Sequence, residues 1–227
     1  MDKKYYEAYD DRYKQVHQSH NKPWAGYRPS PTIEKLLKKY GANSSSSILE
    51  IGCGEGQNAI YLLQKNYNLE ASDVSPEAIR WCKEQARIAG VEEDRFFVMD
   101  ILNNHLDKKY DFIFSVAVLH MLVDDKDRRE FFNFVRNHLK GTGKAFIVVM
   151  GDGKMTRKTD STKAFELSDR PFGDKTIQVA TTSCRMVTWE QYLQEFEDAN
   201  LKVLDHYLDK TISGFAVSMV AVAEKEK

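Results

Sequence analysis

The residues from Ile48 to Asn58, ILEIGCGEGQN, gather a carboxylate at Glu50 and three glycines at Gly52, Gly54 and Gly56. Glycine lacks a Cβ and admits φ > 0, so such a turn folds sharply and lets a ligand lie against main-chain N–H groups. A helix opening at about Gly56 adds its unpaired N–H groups and the positive end of its dipole. Glycines spaced G-x-G-x-x-G would point to a pyrophosphate on that turn. Here the third glycine comes one residue early and an acid precedes the first. An acid suits a ligand with a cation or an amino group better than a phosphate. A second acid, Asp73, stands 21 residues after Gly52, where a ribose needs a carboxylate. The pair describes a site for a nucleoside-like cofactor with a positive end.

The elements that must hold these groups follow from periodicity. Ile48 onward reads as a first strand, with a helix from about Gln57 to Asn66 placing Ile60 and Leu63 inward. Leu69 to Asp73 is a second strand, and Ser75 caps a helix with Pro76 in its first turn, where the missing N–H costs nothing. Ile79, Cys82 and Ala86 form that helix's inner face. Arg95–Met99, Asp111–Val116 and Ala145–Met150 are strands three to five, the last two apolar enough to be covered on both faces. A helix from about Asp127 to Lys140 lies between them, closed by Gly141 and Gly143. Thr188 and Gln191 form a capping box, and Leu201–Leu208 with Phe215–Ala223 read as an edge hairpin. Alternating strands and helices imply right-handed crossovers and a parallel sheet. The expected fold is therefore α/β, a Rossmann-like three-layer sandwich on a mostly parallel seven-stranded sheet with an antiparallel C-terminal hairpin.

The pattern [DE]-x-G-x-G-x-G after an apolar strand, with Asp73 ending the next strand, resembles motif I of the class I S-adenosylmethionine-dependent methyltransferases. The likeness covers about 46–152 well and 188–224 in outline. It implies S-adenosylmethionine as cofactor, with S-adenosylhomocysteine as product. By that resemblance Glu50, Gly52, Cys53, Gly54, Gly56 and Asn58 surround the methionine part. Asp73 and Val74 hold the ribose. Asp100 reads the adenine amino group with Ile101 supplying backbone contact, and Ser115 and Val116 lie beside the methyl group. GCGEGQNAIYL with YDFIFSVAVLHML is further similar to small-molecule enzymes of the tellurite-resistance and thiopurine type. Methyl transfer needs alignment and exclusion of water more than covalent help. A hydroxyl acceptor would want a base, for which His120 is the candidate; the alternative is a histidine that bonds backbone.

Tyr5, Tyr6, Tyr9, Tyr13 and Val16 give residues 1–18 a helix with an aromatic face. It reads either as a helix packed on the domain edge or, with Trp24, Tyr27 and Arg28 in the breaker-rich stretch behind it, as a lid and substrate contact over 1–31. The polar excursion 153–187, with Phe165, Arg170, Phe172 and Arg185, reads as a substrate cover or a surface loop. All 227 residues fit one domain. The 33 basic and 34 acidic residues leave no basic footprint, so nucleic acid is not an expected partner. No apolar run is long enough for a bilayer, and three scattered cysteines suit a reducing cytoplasm without disulfides. No H-x-x-H and no spaced acidic pair suggests a metal. The expected partner is a small-molecule methyl acceptor, the assembly a monomer or homodimer. Competing readings are a cofactor-holding regulatory protein without turnover, a methyltransferase acting on a macromolecule, and a nicotinamide-dependent oxidoreductase, which the position of Gly56 disfavours.

Overall fold

A computed structural model describes residues 3–19, 28–172 and 175–226. After a 3-10 turn at Tyr5–Glu7 the chain runs α1 (Ala8–Gln18), α2 (Pro31–Lys39), β1 (Ile48–Ile51), α3 (Gln57–Gln64), β2 (Leu69–Asp73), α4 (Pro76–Ile88), β3 (Phe96–Val98) and β4 (Tyr110–Val116). It continues through α5 (Asp125–His138), β5 (Leu139–Met150), β6 (Arg157–Lys158), β7 (Leu167–Phe172), β8 (Lys175–Ala180), β9 (Arg185–Met186), α6 (Trp189–Asp198), β10 (Leu201–Asp209) and β11 (Ser218–Lys225). One sheet has the order β10-β11-β5-β4-β1-β2-β3. β5, β4, β1, β2 and β3 are parallel, and β11 pairs antiparallel with both β5 and β10. This is the Rossmann-like sandwich that the sequence predicts.

Strand side chains alternate between faces, and the core divides accordingly. Leu49, Ile51, Ile113 and Ile147 pack on α5 and α6 through Phe131, Phe132, Tyr192 and Phe196. Ile48, Leu69, Phe112 and Val148 pack on α2, α3 and α4 through Leu37, Leu62, Ile79 and Cys82. All four residues of β1 are buried, as suits a central parallel strand. β2 and β3 follow to one side of β1 and β4 and β5 to the other, so the strand order reverses at β1 and opens a crevice there. Ser75 caps α4 by accepting from Ala78 N–H at 3.0 Å.

Several expectations need correcting. The inner face of α3 is Ala59 and Leu62, with Ile60 and Leu63 only half-buried. Gly141 and Gly143 do not close a helix: the chain is already extended at Leu139, and both glycines lie inside β5. At Gly143 an added Cβ would sit 2.9 Å from Asp111 O, so the glycine permits close strand approach rather than a turn. The last strand begins at Ser218, which frees Phe215 from the sheet. The 153–187 excursion is built: β6 pairs with β9, β7 with β8, and the segment braces α1. Tyr9 O–H donates to Ser183 O at 2.9 Å, Arg12 Nη1 to Thr182 Oγ1 at 3.1 Å, and Ala180 N–H to Gln15 Oε1 at 2.7 Å.

Candidate functional site

The crevice at the carboxyl ends of β1, β2 and β4 is floored by the glycine turn, which is fixed from below. Gly52 and Cys53 N–H both donate to Ser72 O, at 2.7 and 2.9 Å. Gly52, at φ +70°, has no room for a Cβ, which would lie 2.1 Å from Val118 Cγ2. Gly56, at φ +84°, is the N-cap of α3, and a Cβ there would meet Cys82 Sγ at 2.2 Å. The turn therefore presses backbone against β4's loop on one side and α4 on the other.

Three carboxyls face the crevice. Glu50 is buried at 1% exposure; its Oε1 accepts from Asn58 Nδ2 at 3.1 Å, and its Oε2 has no hydrogen-bond partner. Burial first, and then the negative charge of Asp73, pushes its pKa up to about 8. Asp73 accepts Gly54 N–H at Oδ2 and Ser75 N–H at Oδ1, both at 2.9 Å. Burial raises it, and those N–H groups oppose the rise. Each of its oxygens keeps a second lone pair for a ligand hydroxyl. Asp100 accepts from Tyr6 O–H at 2.9 Å, from Asn103 Nδ2 at 2.6 Å and from Leu102 N–H at 3.0 Å.

The Tyr5–Glu7 turn and α1 close the crevice from above. Tyr6, Tyr9 and Tyr13, three and four residues apart, all line it. Asp10 accepts from Ser75 Oγ at 2.7 Å and from Glu77 N–H at 3.0 Å, at the amino end of α4. His17 bridges two carboxyls, Nδ1 to Glu77 at 2.8 Å and Nε2 to Glu55 at 3.1 Å, and stacks on Trp81 at 4.4 Å. Burial alone would lower the histidine's pKa, but the two acids outweigh it and hold it above its ordinary value.

Of the residues singled out in the sequence, Glu50, Gly52, Cys53, Gly54, Asn58, Asp73, Val74, Asp100, Ile101, Val116, His120 and Arg28 line the crevice. Gly56 and Ser115 do not; Ser115 is wholly buried behind the wall that Val116 faces, as strand alternation requires. Trp24 and Tyr27 lie outside the described residues. Among the described residues, none of 153–187 lines the crevice, so Phe165, Arg170 and Arg185 do not roof it; Arg185 instead bonds Val123 O and Asp125. His120 also departs from the role of base. Its Nδ1 accepts Met150 N–H at 3.4 Å, and burial, with the Arg128 charge second, drives its pKa down to about 3. Ser30, Ile212, Ser213 and Phe215 line the site without having been foreseen. Ser30 reads as a plain helix cap, and Phe215 is masked by the apolar run it precedes.

Among the described residues no group of histidines, cysteines or acids could hold a metal, and no helix is long and apolar enough to cross a membrane.

A family profile described as a methyltransferase domain matches residues 48–143. A 2-heptyl-1-hydroxyquinolin-4(1H)-one methyltransferase of Mycobacteroides abscessus is 30% identical over 101 residues, 44% of this chain and 44% of that protein. The chain matches less than half the length of such curated relatives. A solved glycopeptide N-methyltransferase, MtfA, complexed with S-adenosylmethionine, superposes with a TM-score of 0.63 at 17% identity, covering 88% of this chain and 96% of that one. A TehB-like S-adenosylmethionine-dependent methyltransferase from Corynebacterium glutamicum gives 0.59 at 18% identity, with 96% of each chain covered. At such identities these two structures speak to the fold.

Proposed function

Because residues 48–143 match a methyltransferase domain, we propose that the chain is a class I S-adenosylmethionine-dependent methyltransferase that transfers a methyl group to a small-molecule acceptor. The observation that carries this reading is Glu50 Oε2, a buried carboxyl oxygen without a partner on the wall of the crevice. A buried acceptor left unmade is costly, and an ammonium group is the partner that relieves it. S-adenosylmethionine has such an ammonium, and when bound it supplies an electrophilic methyl on a positive sulfur.

The chain's own residues would do the holding. Glu50 takes the ammonium, steadied by Asn58; the turn at Gly52, Cys53 and Gly54 lies along the methionine part. Asp73 accepts from the ribose hydroxyls through the lone pairs that Gly54 and Ser75 leave, with Val74 beside it. Asp100 accepts from the adenine amino group, and Ile101 and Leu102 pack on the base. Tyr6, Tyr9 and Tyr13 exclude water from above, which strengthens every one of these polar contacts.

The experiment is a calorimetric titration with S-adenosylmethionine, S-adenosylhomocysteine and NADH. Micromolar binding of the first two, and none of NADH, is expected. Binding of NADH alone, or of none of the three, would overturn the reading.

A further inference from the structure

Two sets of residues line the crevice. The ends of β1, β2 and β3 carry Glu50, Asp73 and Asp100. The second set follows the end of β4 and the loop between β10 and β11, and comprises Val118, His120, Met121, Leu122, Ile212 and Phe215. Phe215 meets the His120 ring edge-on, centroids 5.5 Å apart. Thr32, bonded to Asp209 and Thr211, ties the start of α2 to this same loop and so brings Arg28 to the rim.

Among the described residues, no group beside this second set is placed to take a proton. His120 Nδ1 is occupied by Met150 N–H, which leaves the proton on Nε2 and makes the ring a donor. Its low pKa agrees. Arg28 has no lone pair to offer. Tyr6 and Tyr9 keep their protons to bond Asp100 and Ser183 O, and Tyr13 lies against the glycine turn, its Oη 2.7 Å from where a Gly54 Cβ would be. Cys53 is held protonated by its contact with Cys82 and by burial. Glu50 is claimed by the cofactor's ammonium, Asp73 by two backbone N–H groups, and Asp100 by three donors.

We propose that the acceptor is a flat, largely apolar aromatic compound whose reacting oxygen, nitrogen or sulfur is already ionised when it lies against Phe215 and His120. The proposal rests on the methyltransferase reading. Flat rings suit the aromatic and branched walls, and an anion is offset by Arg28 at the rim, the His120 Nε2–H and the sulfonium charge. The acceptor's proton goes to solvent before binding. Its lone pair then forms the bond to the methyl carbon as the methyl–sulfur bond breaks, leaving a neutral thioether and no proton to move. Alkyl alcohols, which stay protonated, are excluded from turnover.

The test uses 4-nitrophenol as a spectroscopic probe on the full chain saturated with sinefungin, whose amine puts a positive charge where the sulfonium would be. The expected result is binding with the phenolate absorbance retained and an apparent pKa below that of the free probe. Loss of the phenolate band on binding overturns the proposal. So does an absence of binding by every member of an ionised series of 4-nitrophenol, pentafluorophenol and 4-nitrothiophenol. With S-adenosylmethionine in place of sinefungin, the pH at which kcat/KM levels off tracks each acceptor's own pKa. One inflection common to all acceptors, or methylation of cyclohexanol, contradicts it. Failure of sinefungin and S-adenosylmethionine themselves to bind sinks the methyltransferase reading instead.

Discussion

Asn58 donates through Nδ2 to Glu50 Oε1 at 3.1 Å, while Oε2 of the same carboxyl is buried with no donor. The amide is in turn fixed by Ser30 N–H, which reaches its Oδ1 at 2.7 Å. The carboxyl is thus aimed, half-satisfied and awaiting charge. Such a group weakens the free protein and strengthens the liganded one.

Glu50→Gln should therefore stabilise the unliganded fold while abolishing tight cofactor binding. A carboxyl raised from its ordinary 4.5 to about 8 binds a proton in the folded state that the unfolded chain has lost, so stability falls as pH rises between those values. The variant lacks that slope and is expected to be more stable at pH 8 by on the order of 3 kcal/mol. Urea melts at pH 6 and 8 read the difference. Calorimetry should show affinity for S-adenosylmethionine reduced a hundredfold or more; unchanged affinity would falsify the ammonium site.

On the proposed function, the same proton is expected to make cofactor affinity depend on pH. Below about 8 Glu50 must lose it as the ammonium docks, so affinity rises by about tenfold per unit. Above roughly 7.7–8.0 the cofactor's own amino group begins to lose charge. Affinity should crest near that crossing, with proton release visible as a dependence of calorimetric enthalpy on buffer ionisation. A flat profile from pH 6 to 8 would contradict the assignment.

His17 latches α1 to Glu55 and Glu77. Its folded pKa is raised, so the latch is fully present below the ordinary 6.5 and is lost as pH climbs through the raised value. His17→Gln is expected to release the cofactor roughly tenfold faster at pH 6, for a loss of about 1.4 kcal/mol. The gap between variant and wild type should narrow toward pH 9. Stopped-flow displacement of cofactor measures both rates, and equal rates at pH 6 would leave His17 a packing residue.

Gly52→Ala tests the press of the glycine turn on β4. The new methyl meets Val118 Cγ2 at 2.1 Å and the backbone stays at φ +70°. The strain from that backbone is about 1–2 kcal/mol, and the collision adds to it. Gly52→Ala with Val118→Ala should recover the collision part and leave the backbone part, a coupling that a double-mutant cycle in thermal unfolding resolves. Full additivity would show the two residues to be independent.

Much of this was legible in the chain. The strand Leu69–Asp73, the cap at Ser75 and the capping box at Thr188 and Gln191 appear as read, because each is set by local rules of alternation and hydrogen bonding. The carboxyls were legible because each stands at or near the end of one of three successive strands. Leu139–Lys144 misled because the glycines that normally stop a helix here allow a strand to lie close to Asp111. His120 misled for a different reason. Its position was readable, but its protonation depends on Met150 and Arg128, distant in sequence and joined to it only by the fold.

The roof helix α1 is held mainly by partners far along the chain. Tyr9 and Ser183 are 174 positions apart, and Arg12 and Thr182 are 170. Contacts of such separation close the longest loops and form late. The crevice floor, made of neighbouring strands, can assemble without them. Opening of α1 therefore has to break contacts with α4 and with the 153–187 segment together, and is expected as one cooperative unit in native-state hydrogen exchange. On the proposed function, ligand residence time is expected to follow the rate at which this one helix unfastens.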